Sequence, residues 1–465
     1  MAAVNKEMLD ELRGELTYKR KNVYTNATEE DLVKINDYAK LYCEYLDAAK
    51  TEREAVKKSI EIASAAGFKP YDFGDKIEVG GKYYYNNRGR ALYLFAIGSE
   101  NIENGIRISA AHIDSPRLDL KQNPLYDEGN MGFLKTHYYG GIKKYQWTAI
   151  PLALHGVIIT GDGKSVDVCI GEDDSDPVFY INDLLPHLGA DQMSKTASQI
   201  IPGEKLNILV GSIPLGDDSS DIKLGILKLL SEKYGIKEED FLSAEISAVP
   251  AFKARDIGFD RSIIGAYGHD DRVCAYPALS AIIETEKPVH TLMTILADKE
   301  ETGSGGNTGM KSDIFTDLIA EISAALGANE RKVRANSKCL SADVNAIFDP
   351  NFADVYETKN SAFLNCGVVM SKYTGARGKS GTSDASAEMV AFIRDLFAKE
   401  GVIWQSAELG KVDQGGGGTV AVYIANHNIE VIDLGVGVIS MHAPYEAISK
   451  ADLYMAYKAF LAFNK

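Results

Sequence analysis

Two adjacent carboxylates, Glu300 and Glu301, stand where an apolar stretch of the sequence ends and a glycine-rich stretch begins. The stretch from Thr291 to Ala297 has the length and apolar character of a strand, which would place both acids at the edge of a sheet where open α/β folds bind ligands. Neighbours on a regular strand face opposite ways, so one acid could bind a metal ion while the other takes a proton from water. A solvated surface pair is the alternative, and the flanking segments argue against it. The residues alone do not decide which acid has which role.

Four other segments present possible metal ligands behind a small or apolar lead-in. They are SAAHIDSP with His112 and Asp114, GHDDR with Asp270 and Asp271, LSADV with Asp343, and ISMHAPYE with His442. Histidine with carboxylate is the ligand set of catalytic zinc and related divalent sites, and this many acids suggests two ions. Asp114 could accept the second ring proton of His112, since residues two apart on an extended end point the same way. Either Asp270 or Asp271 could bridge two ions, or cap the helix that follows.

Two glycine-rich segments are further candidates for a binding role. GSGGNTGMKS lacks the G-x-x-x-x-G-K-[ST] spacing of a phosphate-binding loop, and the acids before it would repel phosphate without a metal ion. A nucleotide site is therefore the less favoured interpretation. The run from Gly415 to Gly418 lies in a predicted loop before a β-like stretch from Val420 to Ile424. It could allow close backbone approach to a substrate, or be a flexible turn.

The composition is that of a globular protein large enough for two domains. The chain has 465 residues, of which 45% are hydrophobic and 25% charged. A net charge of −16 argues against nucleic acid and anionic membrane as partners. Five scattered cysteines without CxxC spacing indicate neither a disulfide framework nor a thiolate zinc site. The charged N-terminus and the absence of a membrane-length apolar run lead us to expect a cytoplasmic protein.

The metal-ligand candidates stand on both sides of a β-rich insertion. The first 70 residues predict helices, with a cap formed by Thr28 and Asp31, and β-like runs begin at Ala91 and Ile106. From about 118 to 260, short β-like runs alternate with Gly, Asp and Pro turns. The helix–strand alternation then returns, with helices predicted at 277–286 and 383–399 and strands at 291–297 and 429–434. We therefore predict an α/β catalytic domain, 1–117 and 263–465, with a central mixed sheet flanked by helices and interrupted by a β-rich domain, 118–262.

Five segments, taken in order, resemble the aspartyl aminopeptidase and vacuolar aminopeptidase I family of metallopeptidases. These segments are HIDSPRLDLK, GHDDR, ADKEETGS, SADVNAIFDPN and SMHAPYE. The similarity runs from the helical N-terminus through YYGGIKKYQW to the terminal helix, and five ordered motifs are far more specific than any one of them. The resemblance implies a metallopeptidase catalytic domain and an insert that mediates dimerisation.

The resemblance also implies a role for each candidate residue. Two zinc ions, with cobalt or manganese possible at one position, would be held by His112, Asp270, Glu301, Asp343 and His442. In that scheme Asp270 bridges the ions, with His112 and Asp343 on one and Glu301 and His442 on the other. Glu300 would be the general base and Asp114 would orient His112. Only the resemblance decides which of Glu300 and Glu301 is the base and which of Asp270 and Asp271 bridges the ions.

Members of this family assemble into large dodecamers, so a homo-oligomer built from dimers is expected. His187, in LLPHLG of the insert, resembles the histidine that family members extend across a subunit interface to the reacting carbonyl, although Asp183 competes for that position. The lysine that helps aspartyl members select acidic side chains has no clean counterpart, with Lys372 and Lys411 nearby. A neutral or broader preference is therefore as well supported as an acidic one.

The predicted function is hydrolysis of the N-terminal peptide bond of small peptides by a water activated at a dinuclear metal centre. The expected substrates are peptides with a free N-terminus. A deacylase or carboxypeptidase-type amidohydrolase on the same two-metal core is one alternative, since it would share every ligand. A non-catalytic scaffold stabilised by metal is the other, and the presence of Glu300 argues against it.

Overall fold

The computed structural model describes residues 6–216 and 221–465. Its helices are α1 (Lys6–Leu16), α2 (Glu29–Ala48), α3 (Glu52–Ala65), α4 (Ala190–Met193), α5 (Ala197–Ile200), α6 (Ile222–Tyr234), α7 (His269–Glu284), α8 (Ile314–Ala325), α9 (Glu330–Asn336), α10 (Ala387–Glu400), α11 (Ala421–Ala425) and α12 (Lys450–Phe463). The predicted cap is confirmed, because Thr28 and Asp31 each accept a hydrogen bond from the other's backbone N–H at the start of α2. None of the described helices has both the length and the apolar character needed to cross a membrane.

The strands fall into three main sheets and one short hairpin. The first twelve strands are β1 (Lys69–Pro70), β2 (Lys82–Asn87), β3 (Ala91–Ala96), β4 (Ile106–His112), β5 (Arg117–Glu128), β6 (Met131–Tyr139), β7 (Leu152–Ile159), β8 (Ser165–Ile170), β9 (Tyr180–Ile181), β10 (Ile208–Gly211), β11 (Ala244–Pro250) and β12 (Arg255–Ile257). The others are β13 (Ile263–Ala266), β14 (Thr291–Ala297), β15 (Lys338–Ser341), β16 (Asn345–Ala346), β17 (Val368–Ser371), β18 (Trp404–Ser406), β19 (Gly410–Lys411), β20 (Gln414–Gly415), β21 (Glu430–Gly435), β22 (Gly437–Ile439) and β23 (Glu446–Ser449).

The largest sheet has nine strands in the order β1-β2-β3-β14-β4-β15-β21-β17-β18. Its four central strands, β14, β4, β15 and β21, run parallel, and the strands on either side of them are antiparallel. Ala297 of β14 pairs with His112 of β4, and Ser341 of β15 pairs with Ala110 of β4. The carboxyl ends of four neighbouring strands therefore lie together at one edge, which is where α/β sheets bind ligands.

Alternate side chains of the central strands enter two different cores. Leu292 and Leu296 of β14 belong to the core that includes α2, α3, α7, α10 and α12. Met293 and Ile295 of the same strand belong to the core that includes α8, α9 and α11. Burial on both faces of the sheet explains why these strands are continuous apolar runs in the sequence.

A five-stranded sheet, ordered β12-β13-β23-β22-β16, carries the segments that complete the edge of the large sheet. Strand β16 follows β15 and strand β22 follows β21, and Asn345 pairs with Gly437 between them. Asp343 lies between β15 and β16, His442 lies between β22 and β23, and Asp270 follows β13 at the start of α7. This small sheet therefore brings three further segments to the ligand edge.

The region between β4 and β12 forms a separate antiparallel sheet, ordered β8-β7-β11-β5-β6-β10-β9. It has its own hydrophobic core, in which Trp147 is completely buried. Strand β12 pairs with β13, and so joins the five-stranded sheet rather than this one. The division into 1–117, 118–262 and 263–465 stays a prediction.

One local prediction is wrong. The stretch from Val420 to Ile424 was expected to be β-like, and the chain forms α11 there instead. Val420, Ala421 and Ile424 all face the core beside α8, and their spacing of one and then three residues fits one side of a helix. A short apolar run does not distinguish a strand from a buried helix by composition alone.

Candidate metal centre

Seven side chains predicted from the sequence meet at the carboxyl edge of the central parallel strands. They are His112, Asp114, Asp270, Glu300, Glu301, Asp343 and His442. Five of them line a cavity of about 630 Å³, while His112 and Asp114 lie buried behind it. Strand ends supply His112, Asp343 and the two glutamates, as expected from the sheet order.

Asp270 lies between the two histidines. Its Oδ1 is 3.1 Å from Nε2 of His112, and its Oδ2 is 3.2 Å from Nε2 of His442. The peptide bond between Asp270 and Asp271 is cis. Nε2 of His112 also lies 3.7 Å from Oδ1 of Asp343, and Nε2 of His442 lies 3.6 Å from Oε1 of Glu301. The two Nε2 atoms therefore share Asp270, and each has one further carboxylate beside it.

Glu300 and Glu301 begin a turn of 3-10 helix, Glu300–Thr302, rather than extending β14. The turn sends the two carboxylates into different groups. Ligand atoms of His112, Glu300 and Asp343 lie within 4.8 Å of one another, and so do those of His112, Asp270 and Glu301. The two neighbouring carboxylates therefore do join different ligand groups, as strand alternation predicted, but a tight turn rather than a strand directs them apart.

Asp114 holds this turn in place. Its two carboxylate oxygens accept the backbone N–H groups of Glu300, at 3.1 Å, and Glu301, at 3.2 Å. The hydroxyl of Tyr139, from strand β6, also donates to Asp114 at 2.8 Å. Nδ1 of His112 is 3.0 Å from the backbone carbonyl of Asp114 and 3.4 Å from its Oδ1. Asp114 therefore positions the glutamate turn as well as the histidine.

Glu446, which sequence reasoning did not single out, joins two of the segments. It is buried and accepts the backbone N–H of Asp270 at 3.1 Å and that of His442 at 2.7 Å. Its place four residues after His442, within SMHAPYE, was the available signal. Tyr139 could have been found in the same way, from the segment YYGG. Both residues act through others, which is why ligand chemistry alone does not identify them.

The centre contains more acids than its two histidines can balance. Burial, followed by repulsion from Asp343, raises the pKa of Glu300 to about 8. Burial, followed by repulsion from Asp270, raises the pKa of Glu301 to about 9. Burial also opposes ionisation of Asp270, but the contacts with His112 and His442 outweigh it and lower the pKa of that carboxyl. A divalent cation among these groups would lower the pKa values of both glutamates.

The outer wall of the cavity consists of two loops that touch through their backbones. Gly417 accepts a hydrogen bond from the N–H of Gly375 at 2.7 Å. A Cβ on Gly416 would lie 1.7 Å from the carbonyl oxygen of Gly375, so this position requires glycine. The loop is anchored at Thr419, which donates to the buried Asp433 at 2.7 Å. The glycine run is therefore part of the cavity wall.

The residues considered for substrate selection and intersubunit contact have different positions. Lys411 lines the cavity and donates to the carbonyl of Asp354, whereas Lys372 pairs with Asp384 at 3.2 Å. His187 lies in an exposed 3-10 turn, Pro186–Leu188, in the region between β4 and β12, and is not among the residues that line the cavity. Within one chain, the structure does not bring His187 into the cluster.

Buried imidazoles and carboxylates at this edge of an α/β sheet are typical of a metal-dependent hydrolase. The chain belongs to the M18 family, since the model of the aminopeptidase I zinc metalloproteases (M18) matches residues 45–464. It is therefore an enzyme of a zinc aminopeptidase family, as the five motifs implied. The expected α/β fold class is confirmed as well.

Relatives match over almost the whole chain. A probable M18 family aminopeptidase 1 of Clostridium acetobutylicum is 49% identical over 459 residues, 97% of this chain and 99% of the relative. The crystal structure of aminopeptidase I from that organism has a TM-score of 0.90 at 48% identity, covering 97% of this chain and all of the other (100%). An M18 aminopeptidase structure from Thermotoga maritima has a TM-score of 0.92 at 44% identity, with coverages of 97% and 100%. The mApe1 dodecamer of S. cerevisiae shares the fold. Its chain is 22% identical to this one with a TM-score of 0.76, and the match covers 92% of this chain and 97% of the other.

Proposed function

We propose that the enzyme removes the N-terminal residue of small peptides and that it uses two bound divalent ions to do so. The ions would be Zn²⁺ at both positions, or Zn²⁺ at one and Co²⁺ or Mn²⁺ at the other. The observation that carries this is the placement of Asp270, with one oxygen toward His112 and the other toward His442. Asp270 would bridge the ions. His112 and Asp343 would complete one coordination shell, and Glu301 and His442 the other.

The side chains present fit such ions. Oδ1 of Asp270 and Oε1 of Glu301 are buried, and among the described residues neither accepts a hydrogen bond. Buried carboxylate oxygens without a donor are costly unless a cation compensates them. The remaining donors are imidazole nitrogens and carboxylates, which is the set that zinc and its neighbours prefer.

The bound ions would supply Lewis acidity, lowering the pKa of water and stabilising the oxyanion formed at the scissile carbonyl. Glu300 would take the proton from the attacking water and return it to the leaving amine. Its position beside His112 and Asp343 suits that role, and so does the raised pKa that burial gives it. Asp114 would fix the positions of Glu300 and His112 relative to each other. Acids near the site would bind the α-ammonium group of the substrate.

We also propose that the active form is a homo-oligomer in which dimers assemble into a dodecamer. The dodecameric mApe1, which shares the fold, supports this. His187 is flanked by the exposed apolar residues Leu184, Leu185 and Leu188, which suit a subunit contact. His187 would then reach the reacting carbonyl in a neighbouring subunit. The negative charge argues against nucleic acid and membrane partners, and we propose the cytoplasm as the location.

The deciding experiment compares free-amine aminoacyl amides with their N-acetylated twins. The protein is assayed after loading with zinc, cobalt or manganese and again after chelation. Metal-dependent cleavage of the free-amine set alone is expected, and it would also reveal the side-chain preference. Activity on blocked substrates alone would replace the proposal with a deacylase. Tightly bound metal without any hydrolysis would replace it with a metal-stabilised scaffold.

A further inference from the structure

A second group of metal-binding side chains lies at the junction of the insert and the catalytic domain. His155 of β7 and Cys169 of β8 are direct cross-strand partners. Glu54 of α3 reaches the same place from the catalytic domain, with its Oε1 2.7 Å from Nδ1 of His155. One ligand atom from each of these three residues lies within 4.8 Å of the other two. Two consecutive strands and a helix about a hundred residues earlier in the sequence therefore present imidazole, thiol and carboxylate at one point.

The other nitrogen of His155 is held by a fourth residue. Nε2 lies 3.0 Å from Oε1 of Glu172, which also pairs with Lys50 at 2.6 Å and, through its second oxygen, with Lys253 at 2.8 Å. Because both lysines neutralise Glu172, it is poorly suited to bind an ion itself. A histidine that binds a metal usually has its second nitrogen bonded to a carboxylate or carbonyl, which fixes the ring. Glu172 is in position for that role.

The exposures of these residues suit an ion that enters from solvent. The side chain of His155 is 2% exposed and that of Glu54 is 26% exposed, whereas Cys169 lies at the surface. The exposed thiol can therefore bind a hydrated ion first, and the imidazole, whose orientation Glu172 fixes, can then bind the same ion. A solvent molecule would complete a tetrahedral shell.

We propose that Glu54, His155 and Cys169 form a third cation site, separate from the catalytic centre, for a thiophilic divalent ion of the zinc type. Thiolate with imidazole selects zinc and similar ions over magnesium or calcium. This site could not be predicted from the sequence, because Cys169 has no CxxC partner and the ligands come from three elements. Since α3 precedes the insert and β7 and β8 lie within it, the ion would fasten the two regions together.

Binding would exchange protons for metal. Burial opposes protonation of His155, but its contacts with Cys169, Glu172 and Glu54 raise the pKa of the ring to about 11. An entering ion must displace that proton, and the thiol of Cys169 must lose a second one. Two protons are therefore released for each ion bound, and affinity rises with pH.

Cobalt distinguishes this site from the catalytic one, because the proposed ligands of the catalytic centre include no cysteine. The full-length protein with Asp270→Ala, which is expected to lose at least one of its proposed catalytic metal ions, is titrated with Co²⁺. We expect a thiolate-to-cobalt charge-transfer absorption that saturates at one ion per chain. The added Cys169→Ser change should abolish that absorption, and His155→Gln should weaken binding at least about tenfold. Cys366→Ser, at a half-buried cysteine elsewhere, is the matched control and should leave it intact.

The absence of the absorption in the parent protein would overturn the proposal, and so would its persistence after Cys169→Ser. A second measurement does not depend on the variants. In the unsubstituted protein, zinc should slow alkylation of Cys169, mapped by mass spectrometry, while leaving the rate at Cys366 unchanged. Equal rates with and without zinc would count against the site. Neither result depends on aminopeptidase activity, so this proposal and the proposed function can fail separately.

Discussion

Two regions contain similar side chains but differ in their balance of charge. The catalytic edge is the group of histidines and carboxylates around Asp270, and the junction cluster is the group around His155. At the junction, the imidazole of His155 lies between Glu54 and Glu172, and Lys50 and Lys253 supply further positive charge. At the catalytic edge a carboxylate lies between two imidazoles, more carboxylates surround it, and no lysine or arginine ion pair with these acids is found among the described residues. Charges at the junction are therefore balanced by partners within the chain, whereas at the edge the carboxylates outnumber the two imidazoles that could pair with them.

This difference separates a structural cluster from a catalytic one. Buried charges that have partners within the chain need no external ion for folding, although an exposed thiol beside them can still recruit one. Buried carboxylates without donors destabilise the chain unless cations join them. The catalytic edge thus has a strong requirement for added charge, and substitutions there should affect metal content and turnover before anything else.

The largest effect is expected from Asp270→Ala. This change removes the carboxylate that both histidines share, so both proposed ions lose a ligand. We expect the metal content of the catalytic centre to fall from two ions per chain to one or none, and hydrolysis to become undetectable. Metal analysis after dialysis, together with the free-amine assay, measures both quantities.

Asp271→Asn is the control for that change. Asp271 is completely buried, and among the described residues neither of its carboxylate oxygens accepts a hydrogen bond and neither histidine pairs with it as both pair with Asp270. We expect it to keep both metal ions. Loss of metal in this variant, with retention in Asp270→Ala, would exchange the roles of the two acids.

Glu300→Gln should separate turnover from metal binding. The amide keeps the shape of the side chain but cannot take a proton from water, so kcat should fall by roughly 10² to 10⁴. Metal content should stay at the unsubstituted level. Near-native turnover would show that another group is the base, and Glu301→Gln, which should lose metal, provides the comparison.

The sequence predicted the catalytic edge better than the junction for a physical reason. Ligands at strand ends follow apolar runs, so the Glu300–Glu301 pair and His112 could be recognised as candidates from local sequence, whereas the family resemblance was needed to assign a role to each glutamate. The pairing of His155 with Cys169 depends on the register of two strands, which no local pattern reveals. Glu446 was missed because it binds backbone N–H groups rather than substrate or metal. Residues that can bind metal or transfer protons can be recognised in a sequence by their type and neighbours. The side chains that hold those residues in place can be identified only from tertiary contacts.

Lys50→Met tests whether the junction is structural. Lys50 is buried, and besides pairing with Glu172 it donates to the carbonyls of Pro250 at 2.8 Å and Phe252 at 3.0 Å. Removing one member of a buried charge network should lower the free energy of unfolding by roughly 3–5 kcal/mol, measured by denaturant titration. Turnover per folded molecule should not change. A large loss of turnover at full folding would show that the junction also controls the catalytic edge.

Lys57→Met is the matched control, because Lys57 of α3 and Asp167 of β8 bridge the same two regions at the surface. Their charged atoms are 3.6 Å apart and their side chains are 70% and 78% exposed. Such a pair is expected to contribute at most about 1 kcal/mol. Equal destabilisation by the two substitutions would mean that burial does not distinguish them.

The smallest effect is a pH dependence of thermal stability that metal removes. The pKa values of Glu300 and Glu301, about 8 and 9 in the folded chain, lie above the ordinary value of 4.5. The folded state therefore binds more protons than the unfolded state between those values, and stability falls as pH rises through that window. Burial lowers the pKa of His442, but its carboxylate partners raise it to about 10, so its contribution is also lost as pH rises above the ordinary value of 6.5.

Chelated protein should accordingly lose several degrees of Tm between about pH 5 and pH 9. Metal-loaded protein should lose much less, because bound cations keep the carboxylates ionised and free the histidines of protons. The comparison is made in a Cys169→Ser background, so that metal at the junction does not contribute to the difference. If the gap in Tm between loaded and chelated protein stayed constant with pH, the excess of acid at the catalytic edge would not be what the ions neutralise. A gap that widens with pH would tie metal binding to those carboxylates and leave the paired charges of the junction unaffected.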